Sequence, residues 1–276
     1  MAEGSIQGTI LLVGCGKMGG ALLNGWFKRG LSPVDTIVVE PAGRDAVMPC
    51  KTHRALTCLP HVKDVPRDFR PDVVLFAVKP QIADDIVPHY ASFVAQQPVF
   101  LSVIAGKTTA YFQRQLGTDA IVRAMPNTPA AVGKSVSVLY AAPAVSAVQR
   151  RVCEVLMSAV GSVEWITDES LMDAVTAVSG SGPAYVFLLA ECLRDAGIAA
   201  GLPADLAARI ASATVTGSGC LLEQSDLSAE TLRQNVTSPG GTTAAALSVL
   251  MASDGFKPLL AKAVAEATKR SKELAG

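Results

Sequence analysis

Short apolar runs recur through the first part of the chain, and between them the apolar positions return at helical spacing. Apolar runs bounded by turn residues are typical of buried strands, and alternation with helices is typical of a doubly wound parallel sheet. Helices are predicted over residues 20–29, ending at Gly30, and from about 144 to 160. Strands are predicted over residues 9–13, 36–40, 73–78, 99–103, 121–124, 135–140 and 163–166.

After Thr167 the strand pattern stops and only helical patterns follow, over residues 168–196, 203–223, 228–235, 242–252 and 256–275. Asp168 and Ser228 have the side chains expected of N-caps. Pro183 is expected to kink the first of these helices, around a ligand or a partner chain. The predicted fold is therefore α/β: a Rossmann-type domain over residues 1–166 and an all-α domain over residues 167–276.

Composition excludes several kinds of partner. The chain has 276 residues, half of them hydrophobic, and its 24 basic and 24 acidic residues give a net charge of zero. No basic stripe is visible, which argues against nucleic acid. Residues 174–190 carry no charge but are too few for a membrane span of about 20 residues. Residues 1–8 lack the apolar core of a signal peptide. We expect neither a nucleic acid nor a membrane partner.

The cysteines and histidines give no metal site. Cysteines stand at positions 15, 50, 58, 153, 192 and 220, without a Cys-x-x-Cys pair or a zinc spacing, and the three histidines are scattered. Six reduced thiols are typical of a protein in the reducing cytoplasm. We therefore expect a cytoplasmic location and no bound metal.

A glycine motif joins the first strand to the first helix. Gly14, Gly16 and Gly19 have the spacing of a dinucleotide-binding turn, and Glu40 closes the next strand. The first glycine would permit the tight turn, the second the approach of the pyrophosphate, and the third close packing of helix on strand. The phosphates would lie at the helix N-terminus, beside Lys17 and Met18. The alternative is a glycine-rich turn without a ligand.

The choice between NAD and NADP stays open. Glu40 would suit a ribose with a free 2′-hydroxyl, as in NAD, whereas Arg44 could pair with the 2′-phosphate of NADP.

Three further segments are predicted at the carboxyl ends of strands, which form the ligand-binding edge of such a sheet. They supply Val78, Lys79 and Pro80, then Ala105, and finally Asn127, whose amide is held between two prolines. Each is a candidate cofactor or substrate contact, and ordinary turn chemistry is the alternative.

A second candidate site lies at residues 238–243. Ser238 is expected to cap a helix and Pro239 to occupy its first position. Gly240 and Gly241 weaken a helix by about 1 kcal/mol each relative to Ala, but they expose amide groups. With the hydroxyls of Thr242 and Thr243, the segment predicts a cradle for a carboxylate. The alternative is a capped but weak helix start.

The lack of basic residues in one segment limits the reactions that the chain could catalyse. Between Glu164 and Arg194 the chain has no Lys, Arg or His. A hydroxy-acid dehydrogenase needs a base for the hydroxyl proton, usually Lys or His, whereas a protonated imine needs none. The residues therefore favour an imine reductase. A hydroxy-acid dehydrogenase and a nicotinamide-nucleotide-binding regulatory protein are the alternatives.

The motifs together resemble the pyrroline-5-carboxylate reductases. The resemblance rests on the glycine motif at residues 14–19, on Val78-Lys79-Pro80-Gln81, on residues 123–130, on residues 179–185 and on residues 236–243. It covers nearly the whole chain, in order. It implies reduction of 1-pyrroline-5-carboxylate to L-proline with NADPH or NADH, the last step of proline biosynthesis, with another cyclic imine as the alternative substrate.

The resemblance also implies roles and an assembly. Ser238, Gly240, Gly241 and Thr242 would bind the substrate carboxylate. Thr243 would hydrogen-bond the ring nitrogen and act as the catalytic residue. The helical domain would form an intertwined homodimer, which assembles further into a decamer in some members. An Asn that the family usually has near residues 56–63, to bind the adenosine end of the cofactor, is missing here.

Overall fold

The computed structural model describes residues 6–47 and 52–275. Residues 1–5, most of the N-terminal segment considered above, and Cys50 lie outside them. Contacts divide the chain into two compact units. The first contains the residues up to Gly180 and those from Thr268 onward, and the second contains residues 181–267. The contact division thus falls later than the expected boundary at residue 166, which stays a prediction.

The first unit contains an eight-stranded sheet with the strand order β3-β2-β1-β4-β5-β6-β7-β8. All seven predicted strands are present, with small differences at their ends. The strands are β1 Ile10–Val13, β2 Thr36–Val39, β3 Thr57–Leu59, β4 Val73–Phe76, β5 Val99–Ser102, β6 Ile121–Met125, β7 Ser135–Ala141 and β8 Gly161–Ile166. The sequence reading missed β3, because three partly exposed residues at a sheet edge give too short a pattern.

The sheet is not fully parallel, so that part of the prediction was wrong. β7 runs antiparallel to β6, with Ala124 opposite Leu139, and β8 runs parallel to β7. The segment between β6 and β7 contains only a short 3-10 helix, Thr128–Val132. A parallel crossover needs about a dozen residues or more, so the chain turns back and β7 enters in the opposite direction.

The α-helices of the first unit lie between its strands, except the last, which follows β8. They are α1 Lys17–Lys28, α2 Ala83–Ile86, α3 Thr109–Leu116, α4 Ala147–Ser158 and α5 Met172–Val175. α1 begins three residues before its predicted start and ends as expected before Gly30, which has a φ of +86°. Trp26 of α1 is fully buried, and its Nε1 donates to the carbonyl oxygen of Leu156 in α4 at 2.9 Å. This contact ties the two helices together.

The long helix predicted from residue 168 is interrupted. Asp168 accepts a hydrogen bond from the Ser170 amide, as expected of a cap, but a π-helical turn, Thr176–Gly180, follows α5. The next helix, α6 Gly182–Ala199, then begins. Pro183 lies in its first turn, where no amide hydrogen is needed. It therefore starts a helix and does not kink one.

The second unit is entirely helical among the described residues. Its helices are α6 Gly182–Ala199, α7 Ala204–Gln224, α8 Ala229–Asn235, α9 Thr242–Leu250 and α10 Phe256–Ala275, whose last turns belong to the first unit. Ser228 caps α8, as predicted, by accepting from the Thr231 amide at 3.1 Å. α6 packs on α7 through small residues: a Cβ added at Gly197 would lie 3.4 Å from that of Ala207.

Large apolar side chains of the second unit remain exposed within the single chain. Neither α6 nor α9 has a buried residue. Apolar surface of this extent is typical of an interface with another protein surface. The exposed side chains include Val186, Phe187, Leu188, Leu221, Leu222, Val249, Leu250 and Leu259. Among the described helices, none is long and apolar enough to cross a membrane.

Candidate functional site

The three glycines of the motif after β1 differ in their steric surroundings. Gly14 has a φ of +84°, and an added Cβ would lie 2.7 Å from Cγ1 of Val78. At Gly19 the Cβ would lie 2.5 Å from the carbonyl oxygen of Gly14. An added Cβ at Gly16 would have no other atom within 4 Å. The first and third glycines are therefore needed by the turn itself, while the second leaves open space.

The open space lies in front of free amides. Gly16 is the N-cap of α1 in an extended conformation, and no side chain caps the helix. The first helical hydrogen bond runs from the Gly20 amide to the Gly16 carbonyl, at 2.8 Å. The amides of Lys17, Met18 and Gly19 are thus without helical partners. A bare helix start beside an open glycine suits the pyrophosphate of a dinucleotide, so the residues present fit this cofactor.

A cavity of about 860 Å³ opens at the carboxyl ends of β1, β2 and β4. Its size is within the usual range of small-molecule sites. The predicted cofactor residues Gly14, Gly16, Glu40, Val78 and Lys79 line it. Pro80 follows directly as the first residue of a 3-10 helix, Pro80–Ile82. The structure therefore brings together five of the predicted cofactor residues at one sheet edge.

Glu40 holds a fixed position in this cavity. Its Oε2 accepts from the Cys15 amide at 2.8 Å, and its Oε1 accepts from the Ala42 amide at 3.2 Å. Burial raises the pKa of the Cys15 thiol to about 12, with smaller contributions from Cys58 and Glu40. The thiol is therefore protonated at neutral pH, and the carboxylate is the charged group at this point of the turn.

Arg44, unlike Glu40, contacts backbone carbonyl oxygens outside the cavity. Its Nη1 donates to the carbonyl oxygen of Leu56 at 2.7 Å, and its Nη2 donates to those of His53 and Arg54 at 3.2 and 3.1 Å. It is not among the residues that line the cavity. The structure thus uses its guanidinium to hold the backbone before β3.

Ala105 and Asn127 also lie outside the residues that line the cavity. Ala105 precedes Gly106, which has a φ of +76° and lies close to the backbone of Leu274. Asn127 Nδ2 donates to the carbonyl and Oγ of Ser179 at 3.4 and 3.3 Å, and its Oδ1 accepts from the Val136 amide at 3.2 Å. Both ends of the Asn127 amide are occupied by the protein.

The sequence analysis did not predict the buried ion pair of Arg123 and Glu169. Nη1 of Arg123 in β6 lies 3.1 Å from Oε1 of Glu169, which also accepts from the Thr109 amide at 2.8 Å. The Arg123 side chain is only 5% exposed. A buried charge must be paired, so an arginine within an apolar strand was the available signal. The pair fixes the segment after β8 to β6 and to the start of α3.

The segment at residues 238–243 differs from its prediction in one respect. The Gly241 amide donates to the Ser238 carbonyl at 3.0 Å, and Gly240 has a φ of +70°. A type II turn typically has proline at its second position and a glycine with positive φ at its third, as Pro239 and Gly240 are placed here. α9 begins only at Thr242, with Gly241 as its N-cap. Ser238 and Pro239 therefore form the turn before the helix and do not cap it.

The turn leaves free amides at the start of α9. The first helical bond to the cap runs from the Ala245 amide to the Gly241 carbonyl, at 3.1 Å, so the amides of Thr242 and Thr243 have no helical acceptor. The Gly241 amide, in contrast, is used in the turn. Ser238 and Thr242 are exposed and Thr243 is half-buried. This arrangement suits a small anion.

No group of three or more His, Cys, Asp or Glu side chains that could hold a metal occurs in residues 6–47 and 52–275.

Family models match two parts of the chain. Residues 169–274 match "Pyrroline-5-carboxylate reductase dimerisation", and residues 9–106 match "NADP oxidoreductase coenzyme F420-dependent". Over 266 residues the chain is 37% identical to a pyrroline-5-carboxylate reductase of Glycine max, with 96% of each sequence covered.

Two solved structures are similar over nearly their full lengths. A pyrroline-5-carboxylate reductase of Coxiella burnetii has a TM-score of 0.87 and 32% identity, covering 98% of this chain and 99% of that one. The Plasmodium falciparum pyrroline carboxylate reductase with NADP bound has a TM-score of 0.82 and 28% identity, covering 99% and 100%.

Proposed function

The chain belongs to the pyrroline-5-carboxylate reductase family, and on this premise we propose the reaction that it performs and the residues that perform it. The chain reduces 1-pyrroline-5-carboxylate to L-proline with NAD(P)H, the final step of proline biosynthesis. The observation that carries this proposal is the 37% identity to a reductase of this name across 96% of the chain. Two separate helix starts with free amides, one for a dinucleotide and one for a carboxylate, support it.

The first unit supplies the cofactor site. The amides at the start of α1 would bind the pyrophosphate beside Gly16, Lys17 and Met18. Val78, Lys79 and Pro80 would contact the cofactor along the edge of the sheet, because the cavity follows that edge. When bound, the reduced nicotinamide supplies the hydride. Ala105 stays a candidate contact. Asn127 is better explained as a positioning residue, because its amide already holds Ser179.

The second unit supplies the carboxylate site. The amides of Thr242 and Thr243 and the hydroxyl of Ser238 would bind the substrate carboxylate. Gly240 and Gly241 would let it approach, since neither glycine has a side chain to shield the backbone. The hydroxyl of Thr243 would hydrogen-bond the ring nitrogen and hold the protonated imine in position. After hydride transfer has produced the neutral amine, the same hydroxyl would relay a proton to the nitrogen.

The residues of the first part of the helical region support an imine substrate. No Lys, Arg or His stands between Glu164 and Arg194 to take a proton from a hydroxyl group. A protonated imine already carries the positive charge that makes its carbon electrophilic. The chain therefore needs to orient and bind the substrate, without a strong base at the reacting carbon.

Residues 169–274, which include the whole second unit, match the family's dimerisation domain, and the chain self-associates as a homodimer. The exposed apolar side chains of α6 and α9 provide surface for this contact. Further assembly to a decamer is part of the proposal. A cytoplasmic location is supported by the five described cysteines, all of them free. Zero net charge supports a partner set of substrate and self, without nucleic acid or membrane.

The experiment is to follow oxidation of NADPH and NADH by the purified protein with 1-pyrroline-5-carboxylate, and to identify proline by mass spectrometry. Oxidation with proline formed establishes the reaction. Protein that binds a dinucleotide but oxidises neither NADPH nor NADH with this substrate would contradict the proposed reaction. Parallel assays with a six-membered cyclic imine, and with small hydroxy acids and the oxidised cofactors, separate the alternatives.

A further inference from the structure

The position after β2 is where a dinucleotide turn meets the ribose of the adenosine end. Glu40 occupies this position and lines the cavity. Its two oxygens are held separately, by the amides of Cys15 at 2.8 Å and Ala42 at 3.2 Å. A carboxylate with both oxygens held by backbone amides keeps its place. Each oxygen still has a lone pair that can accept another hydrogen bond.

Arg44 is the group at the right sequence distance to bind a 2′-phosphate, but its guanidinium is engaged elsewhere. It donates to three carbonyl oxygens, of Leu56, His53 and Arg54. Releasing it would break these three hydrogen bonds to the segment before β3. Arg44 is therefore held out of the cavity by the fold itself.

We propose that Glu40 determines the cofactor preference of this chain by selecting the free 2′-hydroxyl of NADH over the 2′-phosphate of NADPH. The proposal deepens the cofactor site proposed above and rests on it. A fixed carboxylate accepts a hydrogen bond from the ribose hydroxyl. The same carboxylate repels a phosphate of like charge.

Other charges line the same cavity. Lys63 lies in the 3-10 helix after β3, beside the end of β2, and Lys79 lies after β4. Both are exposed, and His61 and His89 also line the cavity. An exposed flexible lysine contributes little to a fixed ion pair. Lys63 lines the cavity together with Glu40, so its removal belongs in the test.

The test measures binding without substrate, by titrating purified protein with NADH and with NADPH and recording nicotinamide fluorescence. We expect the wild-type Kd for NADH to be about tenfold lower than that for NADPH. Glu40→Gln removes the charge and keeps the shape of the side chain. We expect it to bring the two Kd values close together, mainly by lowering the Kd for NADPH. Glu40→Ser serves as a second variant, and thermal unfolding checks that each remains folded.

Matched variants separate Glu40 from its neighbours. Asp45→Asn removes the same charge from an exposed residue outside the cavity lining, and we expect it to leave the Kd ratio unchanged. Arg44→Ala should also leave the ratio within about twofold, although it should lower the temperature of unfolding. Lys63→Ala should raise the Kd for NADPH by about threefold at most and should leave the preference for NADH in place.

Three results would overturn the proposal: wild-type protein that binds NADPH as tightly as NADH, a Glu40→Gln ratio equal to the wild-type ratio, or Arg44→Ala that weakens NADPH alone. Protein that binds neither dinucleotide would overturn the cofactor site as well. Protein that shows the expected Kd ratio and still fails to reduce 1-pyrroline-5-carboxylate would contradict the proposed reaction and leave the role of Glu40 intact.

Discussion

Two glycine-rich segments of this chain each lead into a helix with free amides, residues 14–19 in the sheet unit and residues 238–243 in the helical unit. In the first, two glycines are fixed by close contacts with the Gly14 carbonyl and with Val78. In the second, Gly240 has no atom within 4 Å of an added Cβ, and only its φ of +70° requires glycine. Gly14 and Gly19 of the first segment are buried, whereas Ser238, Pro239 and Gly240 of the second are exposed.

The difference teaches that glycine serves three separate needs. Gly19 permits close packing, Gly14 and Gly240 permit a positive φ, and Gly16 leaves space for a ligand. Substitution by alanine tests each need separately, because it adds one carbon atom and little else.

The largest expected effect is that of Gly19→Ala on stability. The new Cβ would lie 2.5 Å from the Gly14 carbonyl oxygen, which is backbone and cannot move without opening the turn. We expect a loss of about 3 kcal/mol in the free energy of unfolding, measured by denaturant titration at one fixed protein concentration. Gly20→Ala is the matched control. Its Cβ would lie 4.0 Å from the Cys15 carbonyl, and it should stabilise the helix slightly. Equal stability of the two variants would show that the close contact does not matter.

Gly16→Ala should separate binding from folding. No atom lies within 4 Å of its added Cβ, so we expect the temperature of unfolding to change little. The Cβ would occupy the space proposed for the pyrophosphate and should weaken both NADH and NADPH by about 30-fold, or roughly 2 kcal/mol. Titration of nicotinamide fluorescence measures this. Unchanged affinity for both dinucleotides would place the phosphates elsewhere.

These two turns also show what the sequence could predict. The glycine spacing, the preceding strand and Glu40 lie close together in the sequence, so the local pattern sufficed to predict that these residues meet at one sheet edge. Ser228 and Asp168 were correctly predicted as caps for the same reason. Ser238 was wrongly predicted as a cap, because the positive φ of Gly240 converts the segment into a turn and delays the helix to Thr242.

Long-range contacts were harder to predict. Nothing near Arg44 in the sequence reveals that its guanidinium holds the carbonyls of His53, Arg54 and Leu56. Likewise, the Arg123–Glu169 pair joins residues from separate elements. The direction of β7 depended on a connection whose length mattered more than its composition. Such features are set by packing in three dimensions, and one sequence carries only indirect signals of them.

Thr243→Ala tests the second segment at its proposed catalytic hydroxyl. Loss of one hydrogen bond to the ring nitrogen should lower kcat with 1-pyrroline-5-carboxylate by about tenfold. The Kd for NADH should not change, because Thr243 does not belong to the cofactor site. Thr243→Ser keeps the hydroxyl and should restore most of kcat. Thr243→Ala with wild-type turnover would remove this residue from the mechanism.

Gly240→Ala should have the smallest effect, and the reason returns to the difference between the two turns. A positive φ costs an alanine about 1 kcal/mol, but an added Cβ at this exposed position meets no other atom. The turn can therefore relax toward solvent, at the expense of the amides that it presents. We expect KM for 1-pyrroline-5-carboxylate to rise about fivefold, with kcat and the temperature of unfolding nearly unchanged. Gly240→Asn, whose side chain tolerates positive φ, should raise KM less. If Gly240→Ala instead lowered stability as much as Gly19→Ala, the second turn would be as firmly held as the first, and its openness could not be explained by a need to admit a ligand.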